Sequence, residues 1–270
     1  NEAKTRPDAI ATDGHGLAQR GVSTTTLGIG DDYSDDLLAA MATSGDGNFV
    51  HIAAAEQLAA IFETELSGLA ATLGQRVSLG LEPQSGVKVM SVLNDFAQTS
   101  TGRYKLPNLT VGSPLNVVVR LQVPALDQGS ELLRVHLAWD ATDQRDRQVL
   151  EAELALPLVS QEQFSDFPAN AVVQEQVALM MAARARREAI ALTDSGDYER
   201  ARASLQDARL AMAAMAPSPA LQEEQSVLAD LEADYQGGKI SSARKKAASQ
   251  SYNLQRAGKS QPRRSMDSIS

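Results

Sequence analysis

The chain has 270 residues, 43% of them hydrophobic, and a formal net charge of −9, enough for two or three domains with real cores. It contains no cysteine, which excludes a disulfide framework, thiolate metal sites and a cysteine nucleophile. No apolar run approaches the roughly 18 residues needed to cross a bilayer and no signal peptide is visible, so the cytoplasm is favoured as its location. Beginning at Asn1 without an initiator Met, the sequence reads as part of a longer protein.

In chain order, the first strong signal runs from Gly21 to Glu65. Thr24, Thr26 and Ile29 lie in a β-rich run around Leu27, with Gly28 and Gly30 as breaks. Ser34 is placed to cap a helix starting at Asp35, and Asp35 and Asp36 in its first turn offset the helix dipole. Gly45 is a candidate C-terminal cap, Asn48 to Ile52 reads as a second short strand, and Leu58, Ile61, Phe62, Leu66 and Leu69 follow at the spacing of an amphipathic helix.

Several pieces in this order closely resemble the C-terminal half of bacterial von Willebrand factor type A domains: Arg20-Gly21-Val22, Thr26-Leu27-Gly28-Ile29-Gly30-Asp31-Asp32-Tyr33, Leu37-Leu38, Met41-Ala42, Gly45-Asp46-Gly47-Asn48-Phe49 and Ile61-Phe62 with Leu66. The resemblance covers residues 1–74 and implies a partial Rossmann-like α/β domain. It also implies that an intact parent binds a partner protein through Mg²⁺ or Mn²⁺ at the carboxyl ends of its parallel strands. The family's Asp-x-Ser-x-Ser metal loop occurs nowhere in this chain. Thr12-Asp13-Gly14 spells another of the family's metal-site pieces, but it falls in a helix-like segment too close to the Thr24 strand. No cofactor or metal is therefore expected in this chain itself.

After Gly74 the apolar period changes to two. Val77-Leu79-Leu81, Val87-Val89-Leu93, Leu115 to Val123, Leu133 to Trp139 and Val149 to Leu156 alternate between turn residues, which predicts an all-β, antiparallel sandwich-like domain over 75–157. In bacterial proteins of the resembled type a similar β segment follows the A domain. Pro157 to Pro168 reads as a linker. From 168 to 257 the period is helical, in four pieces: one to about Thr193, a second from Gly196-Asp197-Tyr198 to Met215, a third from Ala220 to Tyr235 and a fourth carrying Ala243, Ala247 and Tyr252. Ala191 to Ala208 looks like a tetratricopeptide helix pair, so a helical bundle with one such hairpin is expected. Met180, Met181, Met212 and Met215 form a soft apolar set there, read as core or as an adaptable partner groove.

Charge is uneven. Gly237 to Ser270 carries eight basic residues and one acid, Asp267, so +7 sits at the end of a chain whose remainder carries −16. Such a segment is a solvated helix end with a disordered basic tail over 258–270, or it docks onto the acidic body, nucleic acid or anionic lipid. With Tyr252 the only aromatic among these charges, nucleic acid is not expected.

Candidate chemistry is sparse. His15, His51 and His136 fall in separate elements without ligand spacing, which argues against zinc. Gly28-x-Gly30 stands where a dinucleotide fingerprint would, but Asp31 and Asp32 would repel a pyrophosphate. No catalytic triad, carboxylate pair or phosphate loop assembles, and no enzyme activity is expected. The one cluster with a functional alternative is the loop of Asp31, Asp32, Ser34 and Asp35, with Asp36 beside it, either a helix cap or a partner-binding loop bordering a cation site. The sequence thus predicts a protein-interaction module, metal-dependent only in an intact parent. Its alternative is a metal-independent scaffold that binds through its C-terminal helices.

Overall fold

The computed structural model describes residues 7–257 except 19, 85, 126–129, 143–145, 158 and 161; the predicted basic tail lies outside them. Helix α1 (Pro7–Ala18) packs on α2 (Asp35–Ser44), which in turn covers two parallel strands, β1 (Thr24–Ile29) and β2 (Asp46–Ile52). Thr12, Asp13 and Gly14 lie inside α1.

Ser34 caps α2 by accepting the Leu37 N–H, and Gly45 closes the helix by donating its N–H to Met41 O, as the sequence predicts. Gly28 does not break its strand. It sits inside β1 because the ring of Tyr33 lies over it, where a Cβ would fall 2.2 Å from the ring. Gly30, at φ 66°, makes the turn out of the strand.

Helix α3 (Leu58–Ala70) follows a 3₁₀ turn (Ala55–Gln57), and of its predicted apolar stripe only Ile61 is buried. Phe62, Leu66 and Leu69 face outward, because β1 and β2 alone form the sheet and their core is the small cluster of Val50, Ile52 and Ile61.

The antiparallel region holds two sheets. In the larger, β5 (Tyr104–Lys105), β3 (Thr72–Pro83), β8 (Ser130–Ala141) and β9 (Arg147–Leu156) lie in that order, with β6 (Leu109–Thr110) also on β3. In the smaller, β4 (Lys88–Val92) pairs with β7 (Val119–Gln122). Val77, Leu79, Val92, Phe96 and Leu106 form their shared core. The expected strand from Leu115 begins only at Val119 because Asn94, 1% exposed, fastens the preceding backbone. Its Nδ2 donates to Asn116 O (2.8 Å) and its Oδ1 accepts from Val118 N (2.8 Å).

A further 3₁₀ turn (Gln163–Asp166) leads into four helices: α4 (Ala171–Asp194), α5 (Tyr198–Ala213), α6 (Pro219–Gln236) and α7 (Ile240–Ala257). Asn170, Asp197 and Ser218 cap the first three, and Gly196, at φ 82°, turns α4 into α5. Fully buried Ala182, Ala183, Ala189, Ala201, Ala243 and Ala247 let the helices approach closely, with Met180, Leu205, Leu228 and Leu231 filling the space between. Arg186, fully buried in this core, pairs with Glu224 and donates from Nε to Gln250 Oε1 at 3.2 Å.

Helix α7 joins the regions. It packs on α4, α6, α2 and β2, and its side chains cover the outer edge of β2. Ser249 Oγ accepts from His51 N (3.0 Å) and donates to Phe49 O (3.1 Å), while the Tyr252 hydroxyl donates to Gly47 O (2.8 Å). An edge that would otherwise present unpaired backbone groups is thereby satisfied.

Candidate functional site

The acidic loop stands at the carboxyl ends of the two parallel strands, where Gly30 N donates to Ile52 O at 3.1 Å. Its members have separate fates. Asp31 and Asp32 are exposed, Ser34 is committed to its helix cap, and Asp35 is buried. The Asp35 carboxylate pairs with Arg244 of α7 and lies 4.0 Å from Lys245 Nζ. Arg244 also forks onto Asp194 at the end of α4, Nε to Oδ1 at 2.6 Å and Nη2 to Oδ2 at 3.0 Å, with Asp36 3.7 Å away. One guanidinium thus ties α2 to α4, and these hydrogen bonds, first those to Asp194, raise its pKa further.

Lys245 completes the seam. Its ammonium donates to Tyr33 O at 2.6 Å and stands 4.3 Å above the Tyr33 ring. Tyr33 in turn shares a 2.7 Å hydrogen bond with His51 Nδ1. Burial, then the charges of Asp35 and Asp31, push the Tyr33 phenol above its ordinary range. Burial lowers the His51 imidazole, and Asp31 acts the other way. Three of the basic residues counted near the C-terminus therefore dock on the acidic body, since Lys246 also pairs with Asp234 at 2.6 Å.

The Asp35 carboxylate is not free to hold a metal ion. A hard cation needs several free carboxylate oxygens, whereas Asp35 is already neutralised by two cations. Among the described residues no group of three or more His, Asp or Glu side chains is arranged to hold one. His15, His51 and His136 lie in α1, β2 and β8; His136 contacts Glu82 and Glu151 on its sheet face instead.

An open groove lies elsewhere, between α4 and α5. A groove of about 1020 Å³ runs along this hairpin, with Val177, Ala178 and Met181 on one wall and Ala208, Ala211 and Met215 on the other. The four methionines of the sequence reading divide here. Met180 is core at 1% exposure, Met212 lies at the groove floor at 2%, and Met181 projects into it at 48%. Arg184 also lines the groove. Its Nε is sealed from solvent without a hydrogen-bond partner, and its guanidinium forms no ion pair among the described residues. Periodicity marked the apolar wall, but Arg184 gave no signal, since an arginine on a helix is ordinarily solvated.

No protein-family model and no curated protein matches the sequence. Among solved structures, the chain is similar to a von Willebrand factor type A protein from Catenulispora acidiphila, with 16% identity and a TM-score of 0.55 over 78% of this chain and 53% of that one. The ArnB paralog VWA2 from Sulfolobus acidocaldarius aligns with 82% of this chain and 54% of its own at 19% identity and a TM-score of 0.49. A human COPII-coat protein aligns with 92% of this chain and 38% of its own at 12% identity and a TM-score of 0.51. The chain thus spans about half or less of the length of the structures it matches. Its α/β part, one parallel and two antiparallel sheets and seven described α-helices give it a von Willebrand factor type A-like fold.

Proposed function

We propose that this chain is a protein-interaction module that captures its partner in the groove between α4 and α5, without a metal ion and without enzymatic turnover. The observation that carries the reading is the groove itself, about 1020 Å³ of mostly apolar space with Met181 projecting into it. Exposed apolar concavities of this kind mark interaction sites, and methionine walls adapt to the shape of a partner. The fold is compatible with this reading, since von Willebrand factor A-like folds serve as interaction modules. The test is capture of partner proteins by the full chain, its Ala211→Trp variant, and the full chain with EDTA. Loss of the captured set with Ala211→Trp and retention in EDTA is the expected result; the reverse pattern would sink the proposal.

A second reading follows the resemblance. In an intact parent carrying the Asp-x-Ser-x-Ser loop, exposed Asp31 and Asp32 at the carboxyl end of β1 would border a Mg²⁺ or Mn²⁺ site facing an acidic partner residue. Saturable Mn²⁺ binding to such a parent, lost on substituting both aspartates, would favour it over the groove.

A further inference from the structure

We infer that the occupant of the α4–α5 groove is an amphipathic helix that carries an acidic residue within its apolar stripe, anchored on Arg184. This rests on the interaction reading above and specifies its ligand.

The shape of the groove argues for a helix. Its α4 wall extends from Val173 to Leu192, about 28 Å at 1.5 Å per residue, which matches a helix of about 18 residues. Both walls are helices, so they present side chains and no strand edge. An extended peptide would find no backbone partners there, whereas a helix satisfies its own backbone and needs only an apolar surface. Ala178, Ala208 and Ala211 lower the walls enough for a third helix to approach, and Met181 and Met215 give volume to grip it.

The charge argues for an acid. Ser204 Oγ donates to Glu188 Oε2 at 3.0 Å, a bridge between the two helices. One turn further along, Arg184 stands midway along its wall. It is partly buried, and its inner nitrogen is closed to solvent yet unbonded. The other charged groups of the groove are placed differently. Arg200 lies beside Asp197, Glu188 is held by Ser204, and Asp207 is an exposed residue. Arg184 is therefore the groove cation without an ion pair or hydrogen bond among the described residues, and its terminal guanidinium nitrogens, rather than the sealed Nε, are what an occupant can reach. A carboxylate from the occupant would pair with those outer nitrogens in a charge-assisted hydrogen bond, and exposed Asp207 would repel a second acid on the flank of the occupant.

The test uses the full chain and two fluorescent probes. One is an acetylated, amidated Ala–Lys helical peptide of about 18 residues with leucines at alternating three- and four-residue spacing and a single Glu at the centre of that stripe. The other has Gln in place of the Glu. The Glu peptide is expected to bind at least about tenfold more tightly than the Gln peptide. Arg184→Gln should abolish that difference, and Ala211→Trp should weaken both peptides. Helical circular dichroism verifies the folding of each variant, and the peptide pair on the unmodified chain tests the same contact without altering the protein. Equal binding of the two peptides, still lost with Ala211→Trp, would overturn the acidic anchor while leaving the groove as an interaction site. No binding of either peptide would overturn the inference, and the interaction reading would fall with it only if partner capture also ignored Ala211→Trp.

Discussion

The loop after β1 and the groove between α4 and α5 reverse what their residues suggest. The loop concentrates four aspartates, yet the one that reaches inward, Asp35, is neutralised by Arg244 and Lys245 of a helix more than 200 residues away in sequence. The groove is built mostly of alanine and methionine, with a single guanidinium nitrogen sealed and unbonded in its wall. Charge crowded in sequence is not charge available for a ligand; the seam consumes it, and the groove leaves one cation in demand of an acid.

Breaking the seam should have the largest effect. Arg244→Ala leaves the buried Asp35 carboxylate with only the more distant Lys245 and frees Asp194, an expected cost of about 2–3 kcal/mol read as a lower urea midpoint. Ser249→Ala removes the hydroxyl that satisfies both His51 N and Phe49 O on the edge of β2, and about 1–2 kcal/mol is expected. Hydrogen exchange should then accelerate at His51 specifically, and unchanged protection there would contradict the role given to α7.

The seam also predicts a pH dependence. Burial depresses the folded His51 pKa, so the unfolded chain takes up the proton first. The stability is fully present above the unfolded value of about 6.5 and is lost as pH falls from there through the folded pKa. His51→Asn should flatten the stability profile over that interval, measured as thermal midpoint against pH.

The smallest stability effects sharpen the contrast. Ala211→Trp at an exposed groove position, and Asp32→Asn on the exposed side of the loop, should each shift stability by no more than about 0.5 kcal/mol. Only the first should abolish partner capture.

Local features were legible because local rules set them. The β1 strand, the Ser34 cap with Asp35 and Asp36 behind it, and the Gly196-Asp197 turn all follow from side-chain periodicity and capping chemistry. What escaped depends on partners distant in sequence. Gly28 reads as a breaker until Tyr33 is seen lying on it, and Leu115 to Val118 reads as a strand until Asn94 takes the backbone hydrogen bonds. The stripe of Phe62, Leu66 and Leu69 was seen correctly as a stripe, but its burial depended on a surface that β1 and β2 do not supply. The Leu150, Leu154 and Leu156 face of edge strand β9 is likewise exposed for want of a covering layer. For the site, sequence gave weight to Asp31, Asp32 and Asp35 and almost none to Arg184, whose meaning lies in an absent acceptor.

The most direct measurement places a photo-crosslinking amino acid at Val173, an exposed residue at the end of the groove, in one version of the full chain and at Asp32 in another, and irradiates both with partner present, with and without EDTA. The expected result is a crosslinked partner from position 173 that is indifferent to EDTA, and none from position 32. A partner crosslinked only from position 32, and lost on chelation, would contradict it.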